Sequence, residues 1–185
     1  MTEEQPPFHS THDALVYAYS FASMSYARPV MVGDMPKPEG RGLGGLDGAG
    51  MAGTILNHVL SVTDRMEQVA LFLRYAPVFE PGKEAVKTVS REWEKKFYWM
   101  LWAVRKHVLK QQDTKYIGEM LMRLYVKNDI SNREIAERFG LHESTVSRHA
   151  AQVKGYVRST RFRKGMEQKA FEKVDAALVA AGVVG

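Results

Sequence analysis

The sequence predicts an all-α fold, a helical domain with a C-terminal helix-turn-helix. Three observations predict it. Apolar residues recur at steps of three and four through most of the chain, and no stretch alternates with the period of a strand. A capping-box pattern, Ser131 with Glu134 three residues later, marks a sharp helix start. Gly140 then falls between two short amphipathic segments, where a tight turn needs a left-handed residue.

In chain order, the first helix is expected over Asp13 to Met24, with Leu15, Val16, Tyr19 and Ala22 along one face. Pro29, Gly33, Pro36 and Pro38, followed by GRGLGGLDGAGMAG from Gly40 to Gly53, read as a flexible connector. From Met51 to Arg74 one stripe runs through Ile55, Val59, Val62, Met66, Val69 and Leu73, and Pro77 and Pro81 stop it. Ala85 to Lys110 places Trp93, Phe97, Met100, Leu101, Val104 and Val108 together, with Tyr98 and Trp102 on the other side. Ile117, Met120, Leu121 and Leu124 mark a fourth helix. Phe171, Val174, Ala177, Leu178 and Ala181 mark the last, before a GVVG tail expected to fray. The resulting division is 1–50 for the first helix and loop, 51–112 for a helical body, 113–165 for the helix-turn-helix unit and 166–185 for a C-terminal helix.

Within NREIAERFGLHESTVSRH, Ile135 and Ala136 face inward, Phe139 supplies bulk and Leu141 plugs the corner. Ala136 has to be small because the two helices cross closely there. At about 100° per residue, Val146, Val153 and Val157 gather on one side of the second helix, flanked by His149, Ala150 and Tyr156. Ser144, Ser147, Arg148, Ala151, Gly155 and Arg158 form the opposite stripe. Such a stripe suits a DNA major groove: small residues let the helix sink in, hydroxyls reach base edges and Arg148 matches guanine bidentately. Ala151 fits a thymine methyl, and Glu143 at the helix start fits both the dipole and a cytosine amino group. Thr145 belongs to the same first turn. Lys154, Arg158, Arg161, Arg163 and Lys164 extend the basic character toward flanking phosphates. The bland alternative is a tri-helical packing unit with a solvated basic face.

Composition narrows the function classes. The chain has 185 residues, 45% hydrophobic and 25% charged, which is ordinary for a folded globular protein. Its formal net charge of +5 favours anionic partners. Cysteine is absent, which excludes disulfides and thiolate zinc sites. The six histidines show no ligand spacing, so no metal and no cofactor is expected. The start MTEEQPPFHS does not resemble a secretory signal and no window spans a membrane, so the chain reads as cytoplasmic with no membrane partner. The Gly-rich run lacks the Gly-Lys-Ser/Thr ending of a nucleotide loop. Glu80 and Glu84 have no nucleophile or oxyanion hole nearby, so no enzyme is expected. The run WEKKFYWMLW, Trp93 to Trp102, reads first as core on both sides of a central helix. The alternative is an exposed patch for a protein partner.

The block ALVYAYSFASMSYARPVM from Ala14 to Met31, with Tyr26, Pro29 and Met31 spaced as Tyr-x-x-Pro-x-Met, is followed by GRGLGGLDGAGMAGTI and a C-terminal helix-turn-helix. This order resembles the Q-type late-gene transcription antiterminators of lambdoid phages and prophages, in their zinc-free form since no cysteine is present. The resemblance implies a protein that binds double-stranded DNA near a late promoter and loads onto RNA polymerase paused there with its sigma factor. It would then travel with the enzyme so that terminators are read through. RNA polymerase, sigma factor and nascent RNA are the partners implied. Arg41, Leu43 and Leu46 of the Gly-rich segment, with Trp99 and Trp102, are the candidate partner-binding residues. A conventional repressor or activator, or a small terminase subunit of a phage packaging machine, would also pair such a reading head with helices for self-association.

Overall fold

The computed structural model describes residues 6–27, 45–79, 89–110, 112–126 and 130–185, and among these every regular element is an α-helix. They are α1 (Thr11–Ala27), α2 (Gly45–Val62), α3 (Arg65–Tyr75), α4 (Arg91–His107), α5 (Thr114–Tyr125), α6 (Asn132–Phe139), α7 (Glu143–Val157) and α8 (Met166–Ala180). The only strand-like pairings among the described residues are isolated bridges.

The helices bury two apolar clusters. The first gathers Ala14, Leu15, Ala18 and Tyr19 of α1, Ala52, Ile55 and Val59 of α2, Leu71 of α3, and Ala170, Val174 and Leu178 of α8. The second joins Val69, Ala70 and Leu73 of α3 to Trp93, Phe97, Met100 and Val104 of α4, then to the buried faces of α5, α6 and α7. Helix α3 is therefore a shared wall, with Phe72 packed against both clusters. Two polar ties anchor α8 to the first cluster. Thr11 Oγ1 donates to Asp175 at 2.6 Å, and Lys173 Nζ donates to both carboxylate oxygens of the buried Glu67 at 2.7 and 2.8 Å.

Four sequence expectations change. The stripe from Met51 to Arg74 is two helices, because Asp64 caps α3 with its own capping box. Asp64 Oδ1 accepts from the Glu67 amide at 2.9 Å, and Glu67 Oε2 accepts from the Asp64 amide at 3.0 Å. The Gly-rich connector is already helical from Gly45. Its small residues let α1 come close, and Tyr17 Oη donates to the Gly48 carbonyl at 3.0 Å. Residue 16 of α1 is partly exposed, since Ala14 and Ala18 turn inward and rotate the packed face by a fraction of a turn.

The GVVG tail is the fourth. It is pinned, not frayed: Gly182 adopts φ +68°, Val183 and Val184 are buried, and the Phe8 amide donates to the Val183 carbonyl at 3.2 Å.

Candidate nucleic-acid interface

The α6–α7 corner is built by local chemistry. Ser131 Oγ accepts from the Glu134 amide at 3.2 Å, and Glu134 Oε2 accepts from the Ser131 amide at 2.7 Å. The same carboxylate oxygen accepts from the Ser131 hydroxyl at 2.9 Å, and the bonds it takes from the Ser131 amide and hydroxyl hold the Glu134 carboxyl below its ordinary range. Gly140 ends α6 at φ 64°, ψ 34°, in the left-handed region, and the Leu141 amide returns to the Ala136 carbonyl at 2.9 Å. His142 caps α7, its Nδ1 accepting from the Ser144 amide at 3.3 Å. Ile135 and Ala136 of α6 pack with Val146, Val153 and Val157 of α7, as the periodicity predicts.

Helix α7 is held from beneath by α5. Tyr116 Oη lies 2.9 Å from His149 Nδ1, and the two rings meet edge to face. Burial, with Arg148 adding to it, lowers the His149 pKa below its ordinary 6.5, which favours the neutral imidazole. Arg138 Nη1 donates to Glu119 Oε1 at 3.1 Å and ties α6 to α5.

The outward side of α7 presents Ser144, Ser147, Arg148, Ala151 and Lys154 to solvent, with Glu143 exposed and Thr145 half-buried at its start. Ala151 sits on a crest between two grooves. One is lined by Arg123, Asn132, Ser147, Lys154 and Arg158, the other by His107, Arg148, Gln152, Thr160 and Arg163. Residues 143–164 hold six Lys and Arg against one Glu. The whole formal charge of +5 therefore resides in this segment, and the rest of the chain is balanced.

Two members of the predicted stripe are placed differently. Arg158 is half-buried, its Nη2 donating to the Leu124 carbonyl at 2.6 Å while Nε lies 3.8 Å from Glu167 Oε2, so it braces α7 against α5 and α8. Gly155 is buried beneath Thr160: a Cβ there would lie 2.7 Å from Thr160 Cγ2.

The chain leaves α7 through a turn, Ser159 to Lys164, closed by a bridge between those two residues and by a 2.8 Å bond from the Thr160 amide to the Arg163 carbonyl. Arg161 and Arg163 are exposed at its tip, and Lys164 is exposed but paired with Glu172 at 2.6 Å. Phe162, between the two arginines, is 91% exposed.

Gln152 and Phe162 lie outside the residues that the sequence pattern singles out. Gln152 is one helical turn beyond Arg148, so the same angular test could have found it. The signal for Phe162 is an aromatic residue inside a run of cations.

Among the partner candidates, Arg41 and Leu43 lie outside the described residues, as does the side chain of Leu46, whose backbone opens α2. Trp93 and Phe97 are buried, as expected, and their rings stack with centroids 5.3 Å apart. Trp99 is half-buried, with the Arg65 guanidinium 4.2 Å and the Lys96 ammonium 4.6 Å from its ring centre. Tyr98 and Trp102 are more than half exposed, so they do not pack on another helix as core. No three His, Asp or Glu side chains converge on a metal-sized site among the described residues, and no helix there is long and apolar enough to cross a membrane.

Comparison of the chain with protein-family models, with curated proteins and with solved structures finds no match.

Proposed function

We propose that this protein is a sequence-specific DNA-binding regulator in which α6 and α7 form a helix-turn-helix and α7 is the helix that enters the major groove. The observation that carries this reading is the outward face of α7. Its crest is small, at Ser147 and Ala151, and its flanks carry Arg148 and Lys154, within the segment that holds the chain's entire net charge. Side chains of that size admit the backbone to a groove about 12 Å wide, and Arg148 has the geometry to pair with guanine. Lys154, Arg161 and Arg163 supply the phosphate contacts that set register and affinity.

The regulatory step we propose is transcription antitermination, on the resemblance of the sequence to Q-type proteins. DNA binding near a promoter would place the protein beside paused polymerase and its sigma factor, and the exposed Trp102 and Tyr98 of α4 offer a surface for that partner.

The test has two arms. Sites selected by the protein from a random duplex pool should bind Arg148→Ala more weakly by about 1–3 kcal/mol, with discrimination relaxed at one base pair. An unchanged ratio of selected to scrambled affinity would remove the base-reading role. Transcription through a terminator placed downstream of a promoter carrying that site should then show read-through that depends on the protein. Binding without read-through would leave a conventional repressor or activator.

A further inference from the structure

The turn that follows α7 has features that the reading of α7 alone does not use. Phe162 is among the most exposed large apolar side chains described, and it sits in a loop held in one shape. Thr160 Oγ1 accepts from the Phe162 amide at 3.4 Å and from the Arg163 amide at 3.1 Å. The Gly165 amide donates to the Arg158 carbonyl at 3.0 Å. Two glycines let the turn lie against the end of α7: a Cβ on Gly155 would meet Thr160 Cγ2 at 2.7 Å, and one on Gly165 would meet the Arg158 carbonyl oxygen at 2.3 Å. A loop built this closely presents its tip by construction.

The surroundings of that tip are cationic. Arg161 lies with its guanidinium carbon 5.8 Å from the Phe162 ring centre, Arg163 flanks the other side, and neither has a carboxylate partner among the described residues. Arg163 and Thr160 line the same groove as Arg148, Ala151 and Gln152, so the turn and the outward face of α7 look onto one space. The helix rises about 9 Å from Ala151 to Val157, and the turn that follows folds back so that Thr160 lies against Gly155 while Phe162 stays in solvent.

We propose that the turn is a second DNA-contacting element, in which Phe162 inserts between base pairs of the minor groove beside the major groove held by α7, while Arg161 and Arg163 hold the phosphates on either side. This rests on the DNA-binding reading above and adds to it a bend in the DNA. Apolar wedges of this kind unstack one step and kink the duplex by about 20–90°. The flanking arginines favour a polyanion over an apolar protein groove as the occupant.

The experiment uses the full chain and end-labelled duplexes carrying the sequence that it selects from a random pool, with bend angle read by energy transfer between the labels. The wild type should shorten the end-to-end distance on binding. Phe162→Ala should abolish that shortening and weaken binding about tenfold or more, the scale of one lost base contact, while still preferring selected over scrambled duplex. Phe162→Leu, which keeps an apolar wedge, should retain most of the bend. Since the ring is in solvent, neither change removes packing, and circular dichroism should be unaltered. An equal bend and affinity for wild type and Phe162→Ala, or a straight duplex with the wild type, overturns the wedge; the first result would be expected if Phe162 docked on a protein or a membrane. A wild type that binds no duplex from the pool would instead overturn the DNA-binding reading beneath it.

Discussion

Gly155→Ala sets two terms against each other, and the structure decides which wins. Alanine in a helix interior is favoured over glycine by about 1 kcal/mol. Against this, the new Cβ would stand 2.7 Å from Thr160 Cγ2, where ordinary contacts begin at 3.4 Å. The turn must therefore give by about 0.7 Å, and overpacking of this kind costs about 1–3 kcal/mol. Thr160 cannot swing aside cheaply, because a β-branched side chain is stiff at χ1 and its hydroxyl accepts from the Phe162 and Arg163 amides. The expected result is a net loss of about 0–2 kcal/mol. Thr160→Ser keeps the hydroxyl and removes the obstructing methyl, so in that background Gly155→Ala should become stabilising by about 0.5–1 kcal/mol. Urea unfolding of the four proteins closes a double-mutant cycle, and the coupling should be about 1 kcal/mol or more. If Gly155→Ala stabilised both backgrounds equally, the close approach of the turn to α7 would be refuted.

Gly50 lies exposed inside α2 with nothing within 4 Å of an added Cβ, so Gly50→Ala should raise stability by about 0.5–1 kcal/mol and Tm by about 1–4 °C; no gain in a thermal melt would mean that α2 is not formed at Gly50. Gly140→Ala meets no neighbour either, but φ 64° should cost about 1–2 kcal/mol, with Gly140→Asn losing less, and a urea midpoint unchanged from wild type would contradict the left-handed cap. His149 should titrate below 6.5 by NMR. Because the unfolded chain then takes up its proton first, this group's contribution to stability is complete above pH 6.5 and is lost as pH falls toward the folded pKa. His149→Gln should flatten that acid-side loss in urea titrations between pH 7.5 and 5, and a midpoint at or above 6.5 would count against the burial argument.

The parts of this fold legible in the sequence are those set by short-range chemistry. Ser131, Glu134 and Gly140 act on backbone groups within a turn of themselves, so their roles can be read without knowing what lies across the core. The apolar faces of α4 and α7 follow from period alone. The break between α2 and α3 carried an equally local signal, Asp64 with Glu67, but the apolar stripe continues in phase across it and masked it. Glycine's helix propensity argued against a helix at Gly45, and close packing beneath Tyr17 overrides it. The inward course of Arg158 depends on where the Leu124 carbonyl and Glu167 arrive in space, and the pinned tail depends on Phe8. Neither is encoded in spacing.

Helix α8 closes a cluster that α1, α2 and α3 begin, and this bears on how the molecule is made. The faces of α1, α2 and α3 that carry Leu15, Ile55 and Leu71 wait for Val174 and Leu178, and about 90 residues separate the end of α3 from the start of α8. At translation rates of about 5–20 residues per second, those faces go uncovered for roughly 5–20 s while α4 to α7 are being synthesised. Those helices, with their own cluster, are complete before the first is sealed. A nascent chain would thus emerge with α4 to α7 formed ahead of the cluster that α8 closes, and the apolar faces of the earlier helices would stay exposed through that interval.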